Sequence, residues 1–276
     1  MTPPIAHPLP ADGPRGPWGP ISDELARSGN VVVYGVLSAW VPKGAHQARP
    51  LLGRDWNRYE TLAHPKMRER FLASRLLLRH TAAAAIDTTP DLVDLAYQPG
   101  GRPFVRGCDQ IDVSLSHTED LMVVGITHSG RIGVDVELAD RKLAGTGSEL
   151  QACTPFEKRQ LDAGGDAVRN DNLVRMWTLK EAYSKALGQG LRFRFTEFGF
   201  ALNESEGATL VRPDGTPVGG QEWRFGTFGV DRYVVSVAVH DTGFGSRGDL
   251  SVGTTLDEGM LDALLGGPPQ GIQPTS

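Results

Sequence analysis

The chain has 276 residues, 39% of them hydrophobic and 22% charged, enough to bury a large core as one domain or two small ones. A net charge of −5 excludes a surface built to coat nucleic acid, and no run approaches the 18 apolar residues of a membrane span. The two cysteines, Cys108 and Cys153, carry no C-x-x-C spacing, so neither a zinc site nor a disulfide framework is expected, and a reducing, cytoplasmic setting fits.

Residues 1–27 open with seven prolines in the first twenty positions and no periodicity, which reads as a disordered or loosely draped arm. They lack the basic start and apolar run of a signal peptide. Asn30 begins a strand-like "NVVVYGVLSAW". A helix follows in "MRERFLASRLLLRHTAAAAI", with Leu72, Leu76 and Ala83 on its buried side and Arg68, Arg75 and Arg79 recurring on another. After a glycine-rich turn carrying Arg102, "IDVSLSHTEDL" runs a strand into Ser116 and His117. Neighbours in a strand face opposite ways, so these two are no nucleophile and base pair, and the G-x-S-x-G elbow is absent. Ser116, His117, Arg75 and Arg102 instead suit an anion pocket for a phosphate.

In "RIGVDVELAD" the apolar Ile132, Val134 and Val136 alternate with Asp135 and Glu137, placing two carboxylates on one strand face. Two such acids suit a wet sheet face or a hard cation such as Mg²⁺. "WTLKEAYSKALGQGL" then reads as a helix whose core stripe is Met176, Leu179, Ala182, Tyr183, Ala186 and Leu187. Its other face holds Trp177, Glu181 and Lys185, and Gly188 and Gly190 end it. A Glu181–Lys185 pair on a solvated face is the plain reading. Trp177 argues for a pocket floor, and Glu181 would add a third carboxylate to Asp135 and Glu137.

"NVVVYGVLSAW" resembles "RIGVDVELAD", and "DLMVVGIT" from Asp120 resembles "DRYVVSVAV" from Asp231, each roughly a hundred residues later. Two similar α+β halves, 28–130 and 131–243, are expected, with the ligand site in the cleft between them. The segment 244–276 reads as a flexible tail around a fraying helix, "TLDEGMLDALL".

"GVDVE" at 133–137, "WTLKEAYSKALGQGL" from Trp177, "SLSH" at 114–117 and "GRP" at 101–103 together resemble the Sfp-type 4'-phosphopantetheinyl transferases over about residues 65–240. The resemblance implies a pseudo-twofold α+β fold and transfer of phosphopantetheine from coenzyme A to a serine of an acyl or peptidyl carrier protein. It implies Asp135, Glu137 and Glu181 as Mg²⁺ ligands, Lys185 on the phosphates, and Glu181 as candidate base. Arg75, Arg102 and His117, with Ser116 beside them, would hold the 3'-phosphate and adenine side of coenzyme A, with Lys66 and Arg68 at the entry. A monomer with no membrane or nucleic-acid partner is expected. The rivals are a Mg²⁺-dependent phosphohydrolase using the same acids and a non-catalytic carrier-binding module.

Overall fold

The computed structural model describes residues 5–42, 49–50, 52–188, 194–203, 207–218 and 223–241. The expected tail helix and Gly190 lie outside them. In chain order the elements are β1 (Leu9–Pro10), α1 (Gly19–Ser28), β2 (Asn30–Val36), α2 (Leu37–Trp40), α3 (Asp55–Thr61), α4 (Pro65–Ala85), β3 (Leu95–Tyr97), β4 (Pro103–Val105), β5 (Asp112–Thr118), β6 (Leu121–Thr127) and β7 (Gly130–Leu138). There follow α5 (Gly147–Ala152), α6 (Pro155–Gly164), α7 (Asp166–Leu187), a 3₁₀ turn (Phe195–Glu197), β8 (Gly199–Leu202), β9 (Ala208–Val211), β10 (Trp223–Val230) and β11 (Tyr233–Asp241).

Valine-rich alternation builds two sheets, ordered β1-β2-β6-β5 and β10-β11-β7. Their facing sides bury Val32, Leu121 and Val123 against Ile132, Val134, Val136, Val235, Val237 and Val239. Helix α4 covers the outer face of the first sheet through Leu72, Leu76, Leu77 and Ala83. Helix α7 covers the second, setting Ala182 and Ala186 on Ala238. This is the expected α+β class, with helices segregated to the outer faces.

The order of elements repeats. In each half a first strand leads through helix to a hairpin, and the hairpin's return strand pairs antiparallel with the first: β2 with β6, β7 with β11. The hairpins turn through Glu119–Asp120 and Asp231–Arg232, with Glu119 and Asp231 at φ 50° and 51°. That matching shifts the sequence pairing of Asp120 with Asp231 by one residue. The halves are not separate units, since Met1–Phe244 forms one compact body.

The expected loose arm is a correction. From residue 5 onward its described part is built into the first core. Leu9 and Pro10 pair in parallel with Val33 and Tyr34, Trp18 stacks on His80 at 5.6 Å, and Ile21 and Leu25 are buried. Proline hides this from composition, because it is tolerated both at a sheet edge and in the first turn of a helix, where Pro20 stands.

One glycine sets how closely α7 approaches the second sheet. A Cβ on Gly133 would lie 1.8 Å from the Ala182 carbonyl oxygen and 2.6 Å from Ala186 N, both helix backbone. Gly133→Ala must therefore push α7 off β7, and we predict a loss of about 3 kcal/mol by chemical denaturation. Gly229→Ala, where an added Cβ meets nothing within 4 Å, serves as control and should stay within about 0.5 kcal/mol of the wild type. Equal effects at the two positions would contradict the close approach.

Candidate active site

Strand β5 has polar residues at every second position, Asp112, Ser114 and Ser116, all turned toward β7. Ile132 N donates to Asp112 Oδ2 at 2.8 Å, and Val134 N donates to Ser114 Oγ at 3.1 Å. Ser116 Oγ donates to Asp135 Oδ1 at 2.8 Å. Arg102, from the β3–β4 turn, pairs with Asp112 and donates to Ile132 O at 2.7 Å and to the Lys185 carbonyl oxygen. Burial pushes the Asp112 carboxyl above its ordinary value, and Arg102 opposes that shift.

Beyond the end of this seam opens a cavity of about 440 Å³ lined by Arg75, Ser116, His117, Asp135, Glu137, Arg141, Trp177, Glu181 and Lys185. The alternation of β7 puts Asp135 and Glu137 on its α7 side, as the sequence predicts. The helix brings Lys185 Nζ to Asp135 Oδ1 at 2.6 Å, Ser116 Oγ at 2.9 Å and Val134 O at 3.1 Å. Lys185 is thus paired with the strand acid and not, as the plain reading of the helix has it, with Glu181 one turn away. A three-point hold across β5 and β7 outcompetes a flexible contact along one helix. Glu137 is paired with Arg141 and accepts from Leu138 N at 2.8 Å. Burial raises the Glu181 carboxyl above its ordinary value, and the nearby Asp135 charge adds to it against Lys185 and Arg141.

Trp177 is a wall of this cavity, with the Arg141 guanidinium 5.3 Å from its ring centre and Phe195 edge-on at 5.6 Å. It also lines an adjoining cavity of about 680 Å³ with Arg102, Ser114, Gln151, Ser184, Arg194 and Phe195. Glu181 and Lys185 belong to both cavities and stand where they meet.

The three carboxylates face one space, and the donor chemistry fits a hard divalent cation. They are not preassembled around a point: among the described residues no group of three or more acidic, histidine or cysteine side chains is set for a metal, because Asp135 and Glu137 are matched to Lys185 and Arg141.

At the other end of the smaller cavity, Arg75 lies between the rings of Phe71 and Tyr97, 4.6 and 5.2 Å from their centres. His117 is exposed on the wall, yet surrounding protein lowers its pKa to about 4, and Arg70, Lys185 and Arg75 push the same way, so the imidazole is neutral near pH 7. Arg102 does not join this group; its guanidinium is held in the seam. Lys66 and Arg68 are not among the residues lining either cavity, and Arg68 is tied back to Leu62 and Glu60 carbonyl oxygens. Sequence reasoning missed Arg70 and Arg141, although Arg141 stands four residues after Glu137.

Comparison with known proteins identifies the family. The family model described as the 4'-phosphopantetheinyl transferase superfamily matches residues 131–238, the half that carries Asp135, Glu137, Glu181 and Lys185. A phosphopantetheinyl transferase of Thraustochytrium sp. is 31% identical over 74% of this chain and 76% of its own length. The 4'-phosphopantetheinyl transferase HetI of Nostoc sp. is 30% identical over 53% of this chain and 62% of its own, and a 4'-phosphopantetheinyl transferase of Bacillus subtilis is 25% identical over 55% and 66%.

The raised Glu181 carboxyl makes a stability prediction. The folded chain binds this proton more tightly than the unfolded chain, so the residue's contribution to stability falls as pH rises from the unfolded value through the raised one. Glu181→Gln removes the penalty. We predict a melting temperature above that of the wild type near pH 8 and a difference that vanishes below about pH 4, where both carboxyls are protonated. A variant less stable than the wild type near pH 8 would contradict the assignment.

Proposed function

Because the chain belongs to the 4'-phosphopantetheinyl transferase family, we propose that it is an Sfp-type enzyme that moves the phosphopantetheine arm of coenzyme A onto a serine of an apo acyl or peptidyl carrier protein, in the holo-[acyl-carrier-protein] synthase manner. The observation that carries the reading is the placement of Glu181 and Lys185 at the junction of two cavities, with an anion-suited wall on one side and open space on the other.

Arg75 and the neutral His117 take the 3'-phosphate end of coenzyme A, a guanidinium for charge and an imidazole for a directed hydrogen bond. The pyrophosphate then lies beside Lys185, which exchanges part of its hold on Asp135 and Ser116 for phosphate oxygens. The carrier serine comes through the larger cavity. Its oxygen attacks the β-phosphorus, the new P–O bond forms as the bond to the adenylate oxygen breaks, and adenosine 3',5'-bisphosphate leaves. Glu181 takes the serine proton directly or through one water. Asp135, Glu137 and Glu181 would hold Mg²⁺, which when bound supplies positive charge for the diphosphate. Lys185 stabilises the charge growing on the leaving oxygen. No described helix is long and apolar enough to cross a membrane, and we place the enzyme in the cytoplasm as a monomer.

Incubation with coenzyme A, Mg²⁺ and several apo carriers, followed by mass spectrometry, tests the reading: a carrier should gain one phosphopantetheine. Coenzyme A cleaved without any carrier would make the protein a phosphohydrolase, and a carrier bound yet unmodified would make it a docking module. Glu181→Gln should lower turnover by about 10²–10⁴-fold and raise the Mg²⁺ concentration for half activity. Lys185→Met should lower turnover with the Mg²⁺ requirement nearly unchanged.

A further inference from the structure

Arg75 is held from behind by a pair of residues outside both cavities' linings. Asp55, in the first turn of α3, is 5% exposed and accepts a hydrogen bond from Tyr97 Oη at 2.7 Å. Its Oδ2 stands 3.8 Å from Arg75 Nε, a buried nitrogen with no hydrogen-bond partner of its own. The Tyr97 ring meanwhile stacks on the same guanidinium. The arrangement is assembled from three distant segments, and Arg79 clamps two of them, donating to Leu52 O at 3.0 Å and to the Val93 carbonyl oxygen from one turn beyond Arg75. Burial drives the Tyr97 phenol upward, so it remains a donor at any working pH.

Asp55 faces the Nε edge of Arg75 at 3.8 Å, and the Arg75 side chain lines the cavity. A guanidinium has five N–H groups in a rigid fork, so a carboxylate charge beside one edge and the Phe71 and Tyr97 rings against it bias where the other N–H groups point.

We propose that Asp55 and Tyr97 are positioning residues that hold Arg75 for the 3'-phosphate of coenzyme A, and that this pair sets the preference for the 3'-phosphorylated nucleotide. The proposal rests on the transferase reading. It assigns Tyr97 the alignment of Asp55, and Asp55 the alignment of Arg75.

Calorimetric titration of the full chain with adenosine 3',5'-bisphosphate and with adenosine 5'-phosphate gives a readout independent of transfer. The wild type should bind the bisphosphate more tightly. Tyr97→Phe keeps the ring under Arg75 and loses only the hydroxyl, so bisphosphate affinity should fall by about tenfold, the worth of one hydrogen bond, while adenosine 5'-phosphate binding stays unchanged. Asp55→Asn, which keeps an acceptor for Tyr97 but loses the charge, should weaken the bisphosphate selectively as well. In turnover assays of Tyr97→Phe, KM for coenzyme A should rise with kcat retained. Equal losses for both nucleotides, or none for either in Tyr97→Phe, overturn the positioning role. A wild type with no preference for the bisphosphate overturns the coenzyme A reading itself and this role with it.

Discussion

The exposed edge of β7 is closed by side chains instead of by a neighbouring strand. Edge strands offer unpaired N–H and C=O groups, each costly to bury without a partner. On β7 the Ile132 and Val134 amides go to Asp112 and Ser114, and their carbonyls go to Arg102 and Lys185. All four partners lie outside the second sheet, so the edge joins both halves of the chain and the helix above it. The cavity with Asp135, Glu137, Glu181 and Lys185 opens at the end of this seam. Fold and cavity therefore share a residue: the Lys185 ammonium satisfies a strand carbonyl and also lines the cavity.

The same helix carries a second lysine with a different use. Lys180 Nζ is fully buried, 2.7 Å from Glu157 Oε2 and within 2.8 Å of the Ala152, Phe195 and Phe198 carbonyl oxygens. Burial lowers its pKa and Glu157 opposes the shift. Glu157 also completes the capping box of α6 with Thr154 and accepts from Phe200 N at 2.8 Å. A buried pair of this kind adds little net stability against an apolar equivalent, but its loss from one side is strongly destabilising. Its structural effect is to hold the Phe195 turn, which walls the larger cavity, against α7. Lys180 is rigid and dry; Lys185, with its side chain 30% exposed, remains available to a ligand.

What the sequence revealed follows the range of the forces involved. The faces of β7 and α7 come from local alternation and helical spacing, so Asp135 with Glu137, and Trp177 with Glu181, are each legible as a face, while the resemblance to the transferases implies that the two faces meet. Partner choice over long range was not. Nothing local tells Lys185 to prefer Asp135, fifty residues earlier, over Glu181 one turn away. Arg102 looks like an anion ligand in "GGRPFV" because a guanidinium suits either a phosphate or a carboxylate, and Asp112 decides between them only in the fold. Arg68 shares the spacing of Arg75 and Arg79, yet the three meet a loop, a cavity and a clamp respectively. The first core's use of Leu9, Trp18 and Ile21 was concealed by prolines that fit ordered edges as readily as loose chain.

The seam is tested most directly by site-resolved amide hydrogen exchange in Ser114→Ala. Val134 N loses its acceptor in this variant, whereas the Gly133 and Asp135 amides face β11. The account predicts that protection at Val134 falls by at least about tenfold, the worth of a hydrogen bond, with Gly133 and Asp135 unchanged. Unchanged protection at Val134, or an equal loss all along β7, would contradict it.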